Sequence, residues 1–288
     1  MNDDLDEQLA NIASCTDADV AVKLGCELAR WDRLADAELC FRRAIDLGST
    51  VALFNLGNTL AERHRWVEAI PTYERAIALG DTGSWLSLGH VLQELGDLGG
   101  AMRAFGEASR AGDTEGTLAL AFSHREQGEL DKAEEVARQA AEAGNLQAAG
   151  VLACWRWDRT LDPALEADLR AAADHYPSAR ADLADLLHSD GRTAEAREVL
   201  EVGAELGEKE SWLPLGNLYA DEFGDIVAAE RAYRRGIDSG DSHSRHNLGV
   251  LLEQRGDLEE AKKHFRIAAV SGDALAVAAL RRLLTAEH

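Results

Sequence analysis

The 288 residues exceed the size at which one hydrophobic core usually keeps growing, so the chain is either two ordinary domains or an array of modules. Apolar residues make up 46%, the share of a folded soluble protein, and four scattered prolines mark no linker and no domain boundary. A formal charge of -22, from 52 acids against 30 bases, repels a phosphate backbone and argues against nucleic acid as a partner.

The opening MNDDLDEQ has neither the basic start nor the apolar stretch of a signal peptide. Nowhere do eighteen apolar residues run together, so a cytoplasmic protein with no membrane partner is expected. Four cysteines (Cys15, Cys26, Cys40 and Cys154) form no C-x-x-C pair and read as reduced thiols. Arginine outnumbers lysine 25 to 5 in an alanine-rich chain, a bias that G+C-rich codons produce and that points to a bacterial source.

Past an N-terminal capping helix expected over residues 1–18, a Leu-small pair recurs at Leu24, Leu56, Leu88, Leu120, Leu152, Leu183, Leu215 and Leu248. The spacings are 32, 32, 32, 32, 31, 32 and 33, the mark of a repeat array. With the leucine placed in column 6, eight repeats span 19–50, 51–82, 83–114, 115–146, 147–177, 178–209, 210–242 and 243–274. Residues 275–288 follow as a C-terminal capping helix.

Within each repeat, columns 3, 6, 7 and 10 form one apolar or small stripe, as in Trp85, Leu88, Gly89 and Leu92, which predicts a first helix, A. Columns 19, 23 and 26 form a second, as in Ala101, Phe105 and Ala108, which predicts helix B. Glycines near columns 14 and 30 close the helices, and the aspartates that follow (Asp97, Asp113, Asp241, Asp257 and Asp273) are placed to cap the next. Glycine in column 7 lies inside helix A, where it costs about 1 kcal/mol relative to alanine, so close packing around the column 23 aromatic must offset it. The period therefore predicts sixteen antiparallel helices of roughly 13 residues, each about 20 Å long. Repeat 5, with Trp155-Arg156-Trp157, a missing residue and Tyr176-Pro177 in place of Gly-Asp, predicts an irregular joint.

The Leu-Gly of helix A, its column 10 residue, and the Ala, aromatic and Ala of helix B resemble the tetratricopeptide repeat family, with features of the related Sel1-like repeats, over residues 19–274. The resemblance implies an all-α, right-handed α-solenoid of about eight helix-turn-helix repeats with terminal caps. A period two residues shorter than the usual 34 leaves the superhelical pitch open.

The motifs of common enzymes are missing: the sequence contains no Gly-rich phosphate loop, no His-Glu-x-x-His and no Gly-x-Ser-x-Gly elbow. No catalytic residue, metal site or cofactor is expected. His243, His246 and His264 read as surface histidines, and Cys154 with His124 or His188 lacks a local activator.

Repeat solenoids work as binding surfaces, and the resemblance implies that columns 1, 5, 8 and 12 of helix A line a concave groove. Those columns hold Asn55 and Asn247; Asn58, His90, Phe122, Asp185 and Asn217; and Glu62, Glu94, Glu126, Asp158 and Asp221. Arg125 and Trp157, in column 11, border them, with Trp155 and Trp157 open to assignment as core or groove. Amides, which both donate and accept, suit the backbone of an extended peptide, and the acids suit a basic one. The family's chaperone-binding subclass grips a carboxylate with paired bases, and only Lys23 and Arg30 are basic in these columns, so no such clamp is expected. The expected function is a non-catalytic scaffold or adaptor that binds another protein's basic, extended segment in the groove. The alternative is a self-assembling structural protein whose ends or convex face mediate oligomerisation, and the C-terminal helix, with Val277 and Leu283 apolar and Arg281, Arg282 and Glu287 its polar residues, offers a homodimer contact.

Overall fold

The computed structural model describes residues 2–285, and among them every element is helical or a turn. Glu287 lies outside the described residues. The chain packs as two compact units, residues 1–145 and 146–288.

In the first unit, α1 (Asn2–Ala10) precedes four helical pairs: α2 and α3 (Ala18–Arg30, Leu34–Asp46), α4 and α5 (Val51–Glu62, Trp66–Ala78), α6 and α7 (Ser84–Glu94, Leu98–Arg110), and α8 and α9 (Thr114–Glu126, Leu130–Glu142). The second unit holds α10 and α11 (Leu146–Thr160, Glu166–Ala172), α12 and α13 (Pro177–Ser189, Thr193–Leu206), α14 and α15 (Lys209–Asn217, Ile226–Asp238), α16 and α17 (Ser242–Arg255, Leu258–Val270) and a last helix, α18 (Ala274–Thr285). Within each unit every A helix packs on its own B helix and on the B helix before it, and successive A helices also touch. The A helices thus form one layer and the B helices the other. No described helix is long and apolar enough to cross a membrane.

The column 7 glycines are explained by what lies against them. A Cβ added to Gly25, Gly57, Gly89, Gly216 or Gly249 would come within 2.4–2.7 Å of the ring of Phe41, Tyr73, Phe105, Tyr233 or Phe265, the column 23 residue of the same repeat. Each ring packs against bare backbone, and a methyl there fits only if the ring moves. Where column 7 is alanine (Ala121, Ala153 and Ala184), column 23 carries no ring and is Ala137, Leu169 or Leu200. The pairing of glycine with an aromatic, and of alanine with an aliphatic, therefore holds through all eight repeats. Between repeats the contact is small on small: a Cβ on Gly203 would lie 2.0 Å from the Ser211 hydroxyl and one on Gly236 2.2 Å from that of Ser244.

The turns follow the columns more strictly than the residue types do. Column 14 is left-handed at Gly96 and Gly128 with φ of 79° and 76°, and it stays left-handed at Asp32 and His64, at 58° and 57°. These two must bear a conformation that L side chains rarely adopt, because the A-to-B turn has no other closure. Of the aspartates expected to cap, Asp97, Asp113, Asp241 and Asp273 accept from the amides of the following helix. Asp257 does not; its carboxylate takes the guanidinium of Arg255 at 2.5 Å.

Two departures from the ruler have local causes. In repeat 5 helix α10 runs to 15 residues and α11 is cut to 7, Tyr176 is extended at φ -141°, and Pro177 starts α12. In repeat 7 the extra residue is absorbed as a π turn over Leu218–Glu222, closed by the Phe223 amide donating to the Leu218 carbonyl at 3.1 Å.

A second bond between repeats was not anticipated from the sequence. Glu38 takes Arg42 at 2.6 Å on its own helix and Arg65 at 2.7 Å from the next repeat, and Arg65 also holds Glu68. The same four columns meet in Glu166, Arg170, Arg192 and Glu195, and a related network joins Glu230, Arg234, Arg255 and Glu260, where the arginine from the next repeat stands in column 13 instead of 15. Burial alone would push the Glu38 carboxyl up, but the hydrogen bonds from Arg42 and Arg65 outweigh it and hold the group below its ordinary range.

The glycine-aromatic pairing can be tested by its sign. Gly89→Ala gains about 1 kcal/mol of helix propensity, but the methyl must displace the Phe105 ring, an overpacking cost of about 1–3 kcal/mol. We expect Gly89→Ala to lower the melting temperature, and Gly89→Ala with Phe105→Leu, which copies the pairing of repeats 5 and 6, to recover most of the loss. A stabilised single variant would refute the packing account.

Candidate functional site

The exposed face of the A layer is where helices α4, α6 and α8 present successive side chains side by side in the first unit. Glu62, Glu94 and Glu126 are the last residues of those helices, all three exposed, and none forms an ion pair among the described residues. His90 is exposed with its ring edge against Phe105 at 5.1 Å, and Phe122 is exposed one turn before Glu126. Asn55 and Arg125 are half-buried.

Asn58 is not simply a free groove amide. Its Oδ1 accepts the Tyr73 hydroxyl at 2.7 Å, and in the second unit the Oδ1 of Asn217 accepts the Tyr233 hydroxyl at 2.9 Å and the Asn247 amide at 2.8 Å. Column 8 is asparagine only in the two repeats whose column 23 is tyrosine, because a buried phenol needs an acceptor there. Comparing those two columns in the sequence would have revealed this.

Trp157 is the clearest correction. It is 3% exposed and belongs to the core with Leu169 and Leu183, so it is no exposed anchor; Trp155 is buried as well. The Trp157 indole donates to Asp185 Oδ2 at 3.2 Å, which holds that exposed carboxylate in place. The short helix α11 leaves the room that the tryptophan fills.

Asp158, Asp182 and Asp185 stand close together on α10 and α12. Burial pushes the Asp182 carboxyl up to about 6; the Cys154 thiol, donating to it, opposes this, while the charges of Asp158 and Asp185 add to it. Burial also drives the Cys154 thiol far upward, the opposite of what a nucleophile needs. His124 is engaged by Glu129 at 2.6 Å, and His243 and His246 each lie near their own aspartate. Among the described residues no three metal-ligating side chains converge.

Between α12 and the π turn of repeat 7 lies an open cleft of about 230 Å³. Leu200, Leu218 and Pro214 form its apolar floor, and Asp185, Asp221 and Glu222 supply its carboxylates. His188 sits 3.7 Å from Glu222. At the C-terminal end, Leu283 is 8% exposed and so buried, Val277 is half-buried, and Arg282 pairs with Glu253 at 2.6 Å, which removes Leu283 as a dimer contact. The exposed apolar side chains there include Val270 and Leu275, 90% and 69% exposed, and Leu284.

Models of the tetratricopeptide repeat match residues 22–84, 114–139 with 177–201, and 242–268. Among solved structures, the chain is similar to a protective antigen of uropathogenic Escherichia coli strains displaying an SLR fold, with a TM-score of 0.65 and 23% identity over 95% of this chain and 66% of that one. It therefore spans just under two thirds of that antigen's length. A Sel1 repeat protein from Oxalobacter formigenes matches with a TM-score of 0.65 and 19% identity over 76% of this chain and 99% of that one. A tetratricopeptide repeat protein from Parabacteroides merdae matches with a TM-score of 0.57 and 14% identity, covering 82% and 98%. No curated protein matches the sequence.

Asp182 offers a test of the electrostatics of this face. The folded chain holds its proton to about pH 6, whereas the ordinary value is 3.8, so between those values the folded state binds more protons than the unfolded one. The group's contribution to stability then falls as pH rises through that window. Moving from pH 7 to pH 5 should raise the melting temperature of the wild type by an increment that Asp182→Asn lacks. Identical pH responses would show that the carboxyl is not held as described.

Proposed function

The chain belongs to the tetratricopeptide/Sel1-like repeat family, and from that premise we propose that it is a non-catalytic adaptor that binds a basic, extended segment of another protein on the face of its A helices. Proteins of this family are generally interaction scaffolds. The observation that carries the reading is a difference between two sets of acids. Six B-helix carboxylates that meet the neighbouring turns and helices, Glu38, Glu68, Glu135, Glu166, Glu195 and Glu230, pair with arginines, while among the described residues Asp46, Glu74, Glu198, Glu205 and Asp238 on the same helices do not. Glu62, Glu94, Glu126 and Asp221 have no cation, although the first three end helices whose dipole disfavours negative charge by about 0.3–1 kcal/mol each. Folding gains nothing from acids there. A cationic ligand gains a field of one sign, which raises its encounter rate. Half-buried Asn55 beside the acids supplies amide donors and acceptors for a peptide backbone.

A second reading, self-association through the C-terminal end, is favoured by Val270 and Leu275, large apolar side chains exposed where α17 hands over to α18. In that case the mass by light scattering should rise with concentration, and Leu275→Glu should return it to the monomer value. A mass of one chain at every concentration would remove this reading.

For the leading reading, the probes are extended peptides of equal length bearing either Lys and Arg or Asp and Glu. The basic set should bind, and more weakly as the Debye length shrinks from about 10 Å at 0.1 M salt to about 3 Å at 1 M. Glu94→Lys with Glu126→Lys should weaken binding by roughly tenfold or more, while Glu134→Lys on the B layer should change it little. Affinity indifferent to both salt and the A-layer reversals would mean that the ligand sits elsewhere.

A further inference from the structure

Resting on the reading above, we propose that the cleft between α12 and the π turn of repeat 7 is an anchor subsite for a single arginine side chain of the bound segment. Its size sets the class of occupant: about 230 Å³ falls below the roughly 300 Å³ at which pockets begin to hold drug-sized ligands, and it suits one long side chain. The lining sets the chemistry. An apolar floor of Leu200, Leu218 and Pro214 matches an aliphatic stem, and carboxylates at Asp185, Asp221 and Glu222 match a charged head, the two-part character of an amphipathic cation.

The carboxylates that line the cleft come from two elements, Asp185 from α12 and the other two from the π turn. A planar guanidinium with five donors can bridge acceptors set apart in this way; a lysine ammonium acts as a point charge. The acceptors are also ready. Trp157 holds Asp185 through Oδ2 and leaves Oδ1 outside that bond, Asp221 makes no ion pair, and the nearest basic group to Glu222 is His188 at 3.7 Å.

The backbone points to the same place. Helix α14 is the A helix that carries a proline in its interior, Pro214, and it runs directly into the π turn. Each feature removes regular helical hydrogen bonding. Both border the cleft, and the wider turn sets two successive carboxylates, Asp221 and Glu222, beside it where a regular A helix presents its column 12 acid alone. Two sacrifices of helix regularity at one point in the array are explained if that point holds a ligand group.

The test uses the full chain and three peptides, Ac-Gly-Ser-Xaa-Ser-Gly-amide with Xaa arginine, lysine or norleucine, with the Trp157 indole N–H as reporter, its resonance assigned through Trp157→Phe. The arginine peptide should shift that resonance, at least about fivefold more tightly than the lysine peptide, and the norleucine peptide should leave it unmoved. Asp221→Asn with Glu222→Gln, isosteric and at exposed positions, should retain the wild-type circular dichroism and weaken arginine binding about tenfold or more, the usual consequence of losing charged hydrogen-bond acceptors. Equal affinity for the lysine peptide, or arginine binding untouched by the double variant, would overturn the subsite. Long basic peptides that still depend on Glu94 and Glu126 while the Trp157 resonance stays fixed would overturn it too, and would leave the broader reading intact. Loss of both dependences would end both.

Discussion

The contact on which the rest of the structure depends is the aromatic ring of column 23 lying on the bare backbone of a column 7 glycine. It lets a bulky side chain of helix B pack directly on the backbone of helix A, and it recurs in five of the eight repeats, the other three pairing alanine with an aliphatic residue. The mid-helix glycine is locally unfavourable, and the ring recovers that loss by burying one of the largest side chains in the core: Tyr73, Phe41, Phe105 and Phe265 are among the bulkiest fully buried residues. Where an alanine replaces the glycine, the ring disappears with it; in repeats 5 and 6 the leucine of column 23 keeps the combined volume close to that of glycine with a ring, and in repeat 4 both positions are alanine.

From that lock the other features follow in order. Because ring and glycine set the spacing within a repeat, the contact between repeats must be thin, which is why it is made by Gly203 against Ser211 and Gly236 against Ser244. Thin contacts bury little apolar area, and the four-residue charge networks of Glu38, Glu166 and Glu230 add fastening on the B layer at three of these junctions. Exposed ion pairs are individually worth about 0–1 kcal/mol, but here each carboxylate shares two arginines from two repeats, so the same side chains are ordered once for several bonds.

Much of this was legible in the sequence, since a period of 32 and a Gly-aromatic covariation need no coordinates to be seen. What was not legible has physical reasons. The spacing of 33 between Leu215 and Leu248 announced an extra residue but not where the backbone would absorb it, because a loop insertion and a π turn have the same length. Trp157 was misplaced as a groove candidate because helical-wheel reasoning assumes that its neighbour is a full helix, and α11 has only 7 residues. Asn58 and Asn217 looked like ligand-binding amides because their partner, a tyrosine hydroxyl, belongs to a column that had been counted only as apolar. Leu283 was taken as exposed for want of a following helix B, yet α18 turns that side chain into the core it shares with Phe265 and Leu280.

The division of charge between the layers bears on function more than any single residue does. A chain of net charge -22 has too few bases to neutralise its acids, so where it places the 30 it has is informative. Arginines 42, 65, 138, 170, 192, 234 and 255 all pair with acids on the B helices or at the turns that lead into them. Among the described residues Glu62, Glu94, Glu126 and Asp221 make no such pair, and like charges close together raise each other's energy; for Asp182 burial is the main cause of its raised proton affinity, and the charges of Asp158 and Asp185 add to it. Self-repulsion of this kind opposes folding, and it is relieved when a cation arrives from outside. The protein's own arginines therefore tie B-layer acids of successive repeats together, while among the described residues Glu62, Glu94, Glu126 and Asp221 are left without an ion pair, and that contrast is what the proposed basic ligand would exploit.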